Sequence, residues 1–145
     1  VVLNRYSPSS PAVGFIHGFG LTGGAIASTV AHDSHNIIAV GVSDQDIASA
    51  INALVDSKGG ICCNDGNGIH LLPLPVAGLM SNQDGYETAA RYEMIDQKAR
   101  DLGSKLAAPF MTLSFMALLV IPELKLSDKG LFDGKTFSFT SIFLD

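Results

Sequence analysis

The first part of the chain alternates short hydrophobic runs with breaks of glycine, proline and polar residues. Runs of this length that are rich in valine, isoleucine and alanine and end at glycine or proline are typical of strands. The pattern predicts four strands, at residues 1–6, 13–19, 25–31 and 37–42. The chain is therefore expected to begin as a β-sheet.

The next segment, SDQDIASAINALVDSKGG, carries hydrophobic residues at helical spacing. Ser43 and, three residues later, Asp46 resemble a capping box, in which side chains satisfy the free backbone N–H groups of a helix start. Apolar side chains then recur every three or four residues, so they share one face. Gly59 and Gly60 favour a helix end. The spacing predicts an amphipathic helix between Ser43 and Gly59.

A hairpin and a long helix are predicted next. Apolar runs at residues 61–63 and 69–72 flank NDGNG, whose Asp-Gly and Asn-Gly pairs favour a tight turn between antiparallel strands. Residues 84–102 place apolar side chains such as Ile95 on one face and charged side chains on the other, with Gly103 just beyond the end. We expect this helix to pack its apolar face on the sheet.

The last third of the chain contains one strongly apolar run and an alternating tail. Residues 110–119 are apolar on every side, which predicts a short buried helix that ends before Pro122. The tail GKTFSFTS, residues 134–141, alternates Phe137 and Phe139 with polar residues, which predicts a half-buried strand.

The order of these elements predicts the fold class. Strands and helices follow one another without the regular alternation of a parallel α/β protein. We therefore expect an α+β fold with a mixed, largely antiparallel β-sheet and about three helices packed on it.

Composition and charge narrow the class of protein. The 145 residues are the size of one domain, and 47% hydrophobic against 16% charged residues argues for a compact body. A net charge of −5 argues against nucleic acid and anionic membranes as partners. The longest apolar run, residues 110–121, is too short to span a bilayer. Because the chain lacks an initiating methionine and a leader, we expect a piece of a larger protein.

The two cysteines are predicted to be structural. Cys62 and Cys63 are adjacent, so on a strand their side chains point to opposite faces, which disfavours a disulfide between them. Their spacing matches no zinc motif. We predict two reduced core cysteines, as in a cytoplasmic protein.

Three short stretches suggest known chemistry, but each lacks the rest of its pattern. GFIHGFG resembles the oxyanion-hole strand of an α/β-hydrolase, but the chain has no G-x-S-x-G nucleophile motif. The DGNG turn lacks the acidic spacing of an EF-hand. The H-x-E and P-C-x-x-C signature of zinc-dependent base deaminases is also absent. The first two stretches more plausibly serve as turns, and the zinc-dependent route to deamination is excluded within this chain.

The segment AHDSHN gathers the candidate site residues, which are His32, Asp33, Ser34, His35 and Asn36. A bend at Asp33 and Ser34 would bring both imidazoles to one side, and Asp33 could accept a hydrogen bond that fixes an imidazole tautomer. The alternative is a structural Asx or Ser turn whose histidines are satisfied by the backbone. His32 and His35 are candidate metal ligands, but these residues do not identify a metal.

Four blocks of sequence resemble one known family. They are GLTGGAIASTVAHDSHNIIAVG, LPLPVAGLMS, PFMTLSFMALLVIPELKLSDKGL and the closing phenylalanine-rich strand. In this order they are similar to the C-terminal domain of bacterial adenine deaminase, an adenine aminohydrolase of the amidohydrolase superfamily. The likeness covers nearly all of residues 1–145, so we expect one domain of a longer enzyme.

The resemblance implies that the catalytic centre lies outside this chain. In this family a (β/α)8 barrel precedes the domain and holds a divalent metal, manganese or iron or else zinc, with histidine and carboxylate ligands. The metal activates water, which attacks C6 of adenine to give hypoxanthine and ammonia in purine salvage. The resemblance further implies a cytoplasmic homo-oligomer, with the barrel as the partner of this domain. The isolated chain is then expected to be inactive.

Three hypotheses for the role of the chain follow. In the first, residues 31–36 face the barrel mouth and bind substrate, close the site or hold metal. In the second, the chain is a structural or oligomerisation module that docks on the barrel without a catalytic role. In the third, it is an independent small-molecule or metal-binding domain. The apolar composition also predicts exposed patches where the barrel would sit.

Overall fold

A computed structural model describes residues 1–143 and confirms the α+β class. Two antiparallel sheets and three helices make up the described part of the chain. In chain order the elements are β1 (Val2–Leu3), β2 (Ala25–Ser28), β3 (Ile37–Gly41), α1 (Asp44–Asp56), β4 (Gly60–Asn64), β5 (Ile69–Pro73), α2 (Gly85–Asp101), α3 (Pro109–Phe115), β6 (Leu124–Ser127), β7 (Gly130–Asp133) and β8 (Ser138–Phe139).

The strands are divided between two sheets. The larger sheet has the order β1-β3-β2-β4-β5, and the smaller one has the order β6-β7-β8. All strand pairings in the described part are antiparallel. The larger sheet includes the predicted hairpin, with β4 and β5 paired on either side of the NDGNG turn. The helix α3 and the turns after it separate the two sheets along the chain.

Helices cover both faces of the larger sheet. On one face Ala27 of β2 and Cys62 of β4 pack with apolar residues of α1. On the other face Ile26 and Cys63 pack with apolar residues of α2 and α3, including Ile95. Because β2 and β4 are covered on both sides, every residue of these two strands is buried. The core therefore consists of two apolar layers separated by the sheet.

Side-chain caps fix the starts of the first two helices. The Ser43 hydroxyl accepts a hydrogen bond from the Asp46 N–H at 3.2 Å and donates one to the Asp46 carboxylate at 2.7 Å. Asp84 accepts from the N–H groups of Tyr86 and Glu87 at the start of α2. Caps of this kind contribute about 1 kcal/mol each to helix stability. Both helices are confirmed, the first predicted from its capping signal and the second from its apolar face and Gly103.

The strand predicted at residues 13–19 is wrong. Ala12 pairs with Val2 in a single bridge, after which the chain leaves the sheet. Within the described part, residues 13–17 make no backbone-to-backbone hydrogen bond. Phe15 is 93% exposed, whereas Phe19 is buried. The apolar residues of this segment thus lie on the surface, and only its end enters the core.

Other elements are also shorter than predicted. The strand predicted at residues 1–6 is only Val2–Leu3, because the Asn4 side chain turns the chain by accepting from the next amides. The strand predicted at residues 25–31 ends at Ser28, whose hydroxyl accepts from the Val30 N–H.

Two later elements are shorter as well. The helix α3 ends at Phe115, before residue 119, because the backbone then continues in turns such as the bond from Leu118 N–H to the Phe115 carbonyl. It is not buried on every side either, since half of Met111 is exposed. In the tail only Ser138–Phe139 forms a strand, and both residues are exposed rather than half-buried.

The two cysteines are free and fully buried, on opposite faces of β4, as predicted. Burial raises the pKa of each thiol to about 12. Since the thiolate is the reactive form of cysteine, both groups are poor nucleophiles in the folded chain.

Among the helices of residues 1–143, none is both long enough and apolar enough to cross a bilayer.

Candidate functional site

The candidate site lies in the loop of residues 29–36, which joins β2 to β3 at one end of the larger sheet. The His32 N–H donates to the Ser114 carbonyl of α3 at 3.2 Å, and the His35 N–H donates to the Ala31 carbonyl at 2.6 Å. His35 has a φ of 52°, the left-handed conformation that closes the turn. The backbone of this loop is therefore anchored to the core at several points.

The bend brings the two imidazole rings together. Their centroids lie 5.8 Å apart in an edge-on arrangement, and the His32 ring stacks on the Phe115 ring at 5.2 Å. Both histidines are half-buried, and His35 Nδ1 is buried without a partner among the described residues. A neutral imidazole can donate from one nitrogen and accept at the other. The pair therefore offers hydrogen-bonding groups to a ligand.

The other three predicted residues lie in different surroundings. Asp33 and Ser34 are exposed at the tip of the turn. Asn36 is buried, and its side-chain oxygen accepts a hydrogen bond from the Arg5 backbone N–H at 3.4 Å. Within residues 1–143 no hydrogen bond joins Asp33 to either imidazole, so the expected carboxylate partner for a ring N–H is missing from this loop. Asn36 acts on the backbone instead.

Sequence reasoning missed the two residues that hold the loop, Arg5 and Tyr6. Arg5 Nε donates to the His35 carbonyl at 2.5 Å, and Arg5 Nη2 donates to the Ala77 carbonyl at 2.7 Å. The Tyr6 hydroxyl donates to the Ser34 carbonyl at 2.9 Å, and the guanidinium lies 4.8 Å from the Tyr6 ring centroid. We call Arg5 and Tyr6 the clamp, because they bind consecutive carbonyls of the turn.

The clamp has its own support beneath the loop. The Thr29 hydroxyl donates to the Gly78 carbonyl at 2.5 Å and accepts from the Gly60 N–H at 2.9 Å. Gly78 lies against Arg5, and a Cβ at this glycine would stand 2.4 Å from Arg5 Nη1. Residues 76–80 thus form a turn whose close approach keeps the guanidinium in place.

Replacing Arg5 by Ala is expected to loosen the histidine turn. A hydrogen bond from a charged donor contributes about 1.5–3 kcal/mol, so the loss of the bond to the His35 carbonyl should speed local opening of the turn by about tenfold or more. The measurement is hydrogen exchange of the His35 amide, which the Ala31 carbonyl protects. Arg91→Ala, at an exposed position of α2, is the matched control. Equal exchange rates in the two variants would contradict a clamping role.

The described residues do not make a complete metal site. No three His, Cys, Asp or Glu side chains of residues 1–143 are grouped so that they could hold a metal ion. The loop supplies two imidazoles, with Asp33 exposed at its tip, whereas zinc sites use three or four protein ligands. His32 and His35 therefore do not fit a metal centre by themselves.

A second charged cluster lies at the hairpin turn, and its side chains have a structural role. The Asp65 carboxylate contacts His70 Nε2 at 2.7 Å and Lys98 Nζ at 3.3 Å, and it accepts from the N–H groups of Asn67 and Gly68. The hydrogen bond from His70 is the main cause that holds the pKa of Asp65 far below its usual range, and the turn amides add to it. This carboxylate ties the hairpin to α2.

Replacing Asp65 by Asn is expected to lower the urea midpoint of unfolding at neutral pH. The folded pKa is depressed, so the stabilisation is fully present above the ordinary value near 4 and is lost as the pH falls below it. The difference from the wild-type chain should therefore shrink between pH 5 and pH 2. Asp33→Asn, at an exposed turn, is the control. A difference that stays constant over this range would show that the charge is unimportant.

Comparison with known proteins places this chain in a family. Residues 1–138 match the model of the adenine deaminase C-terminal domain. A protein named adenine deaminase from Sulfurovum sp. (strain NBC37-1) is 63% identical to this chain over 95% of its residues. One of the same name from Methanosarcina acetivorans is 57% identical over 100% of them. The relative from Salinibacter ruber is 56% identical over 99% of the chain.

The match covers only part of the length of each relative. The chain spans 26% of the length of the Sulfurovum and Methanosarcina relatives and 27% of the Salinibacter one. Each of these relatives therefore carries nearly three quarters of its sequence outside the region similar to this chain. Since the family match covers all but the last seven residues of the 145, this chain belongs to the adenine deaminase C-terminal domain family.

Proposed function

We propose that this chain is the C-terminal domain of a metal-dependent adenine deaminase and lines one side of its active site. The reaction converts adenine and water to hypoxanthine and ammonia, a step of purine salvage. The proposal rests on relatives that bear this name and share more than half of their aligned residues with this chain. Its structural support is the pair of half-buried imidazoles on the clamped turn.

The geometry suggests what the loop does to a purine. His32 and Phe115 are stacked aromatic rings at the surface of the domain, and flat apolar rings of this kind pack well against a planar base. The two imidazoles are half-buried, and each can donate from one ring nitrogen and accept at the other, which suits hydrogen bonds to a ring nitrogen or an amino group. In this proposal the loop binds and orients adenine and helps to exclude water.

The metal is proposed to lie outside this chain. The described residues lack a group of three ligands, and the relatives are almost four times as long as this chain. A divalent metal, manganese or iron or else zinc, would therefore be held mainly by the remainder of the enzyme. The role left to residues 31–36 is that of a side wall on a site built elsewhere.

The isolated chain is expected to release no ammonia from adenine, whichever of manganese, iron or zinc is added. The full-length enzyme assayed under the same conditions should be active, and this difference is the test of a shared site. Metal-dependent ammonia release by residues 1–145 alone would overturn the proposal. Calorimetric titration of the isolated chain with adenine adds a second measurement, because an independent binding domain would give a specific heat of binding.

One observation favours a second candidate, a docking module without a catalytic role. Large apolar side chains outside the histidine loop are exposed, among them Phe15 and Phe137. A full-length enzyme whose residues 31–36 are replaced by AAASAA, and which is folded and fully active, would support this candidate against a site-lining role.

A further inference from the structure

An apolar groove lies between residues 14–17 and the smaller sheet, and none of residues 29–36 lines it. It has a volume of about 590 Å³. It is lined by Val40 of β3 and Leu113 of α3 and by Phe15 and Ile142 from two distant parts of the chain. A cavity of this size normally buries most of the surface of the molecule that occupies it. Here the walls are exposed apolar residues.

The segment on one wall has no partner of its own within the described chain. Phe15 is 93% exposed and Ile16 is about half exposed. Residues 13–17 also make no backbone-to-backbone hydrogen bond with other described residues. Folding therefore gains little from these apolar side chains in the isolated chain, since their surface stays in water.

Other apolar residues that line the groove are also exposed. Leu124 is 53% exposed and Ile142 is 40% exposed, and both line the groove. Together with Phe15 and Ile16 they line one groove instead of being scattered. Contiguous exposed apolar surface of this kind marks a binding surface.

We propose that this groove is the docking surface for the remainder of the full-length enzyme, the part of the polypeptide outside residues 1–145. The proposal rests on the proposed function, under which this chain is one domain of a longer adenine deaminase. The relatives supply the occupant, because this chain spans 26% of their length and the other residues must meet this domain somewhere. Phe15 is its proposed anchor, since large aromatic side chains carry much of the binding energy at interfaces.

Site-specific photo-crosslinking in the full-length enzyme tests this directly. Phe15 is replaced by the photoreactive analogue p-benzoylphenylalanine, and crosslinked peptides are mapped after irradiation. The expected result is a crosslink to residues outside 1–145. A crosslink between two copies, crosslinks confined to residues 1–145, or no crosslink would each overturn the proposal. The control is the same analogue at Tyr86, which is 90% exposed on α2, and equal yields at both positions would also overturn it.

A second variant tests the energetic role of the anchor. Phe15→Asp in the full-length enzyme should speed proteolytic separation of residues 1–145 from the rest by about tenfold, whereas Tyr86→Asp should not. Identical rates would contradict the docking surface. Deaminase activity is measured on the same samples. An inactive enzyme with the crosslink intact would sink the proposed function alone, and an active enzyme without the crosslink would sink the docking surface alone.

Discussion

Replacing His32 and His35 together by Ala in the full-length enzyme is expected to lower kcat/KM for adenine by on the order of 100-fold or more. The two rings lie 5.8 Å apart and are proposed to contact the substrate, so their loss removes hydrogen-bonding groups and a stacking surface at once. Steady-state ammonia release measures the effect. Metal content is measured in parallel, because it separates loss of substrate contacts from loss of metal.

The control for this variant is a double substitution of Arg91 and Glu93 by Ala, both at exposed positions on α2. The control enzyme should keep its activity. If the histidine variant turns over adenine normally and holds its normal metal content, the loop does not line the active site. A variant with normal metal content and raised KM would assign the loop to substrate binding, and one that has lost metal would assign it to the metal centre.

Replacing Gly59 by Ala is expected to lower the free energy of unfolding of the chain by about 3 kcal/mol or more. Gly59 has a φ of 121°, a conformation that residues with a side chain rarely adopt. An added Cβ would stand 2.4 Å from the Gly78 Cα and 3.2 Å from the Thr29 hydroxyl. The backbone of the 76–80 turn would have to move, and the support of the clamp would move with it.

Gly66 offers a matched control within the same chain. Its φ is 82°, but a Cβ there would meet nothing within 4 Å. Gly66→Ala should therefore cost only the conformational penalty of about 1–2 kcal/mol. Urea unfolding of the two variants isolates the steric contribution, which is the difference between them. Equal losses would mean that Gly78 yields easily and that this close approach is unimportant.

The parts of the fold with local causes were predictable from the sequence. Ser43 and Asp84 start the first two helices because each caps backbone groups only two or three residues away. The hairpin turn is equally local, since Asp65 accepts from the amides of Asn67 and Gly68. Such signals need no knowledge of distant contacts, and these elements were predicted correctly.

The failures have distant causes. Residues 13–19 have the short apolar run of a strand bounded by proline and glycine, but such a run does not reveal whether the partner is a sheet or another surface. The helix predicted at residues 110–119 ends at Phe115 and is not buried on every side, since Met111 and Phe115 are partly exposed. A run of apolar letters looks the same in both situations. The packing partner decides which structure such a run adopts, and that partner lies elsewhere in the chain.

The candidate site was predictable only in part. The sequence singled out the two histidines, and the bend between them brings their rings close. The clamp depends on strand register, which the sequence does not reveal. Val2 pairs with Ile38 and Leu3 with Ile37, and continuing this register places Arg5 opposite His35 and Tyr6 opposite Ser34. Once that pairing is known, the contacts of both side chains with the turn follow from it.

The clamp also bears on where this domain can be trimmed for expression. Its two side chains lie within the first six residues, immediately after the two-residue edge strand β1. A shortened version that starts at Ala12 would keep α1, α2, α3 and most of the larger sheet, and it could pass ordinary tests of folding. It would nevertheless present the two histidines on an untethered turn, so negative ligand-binding results with such a version would say nothing about the intact domain.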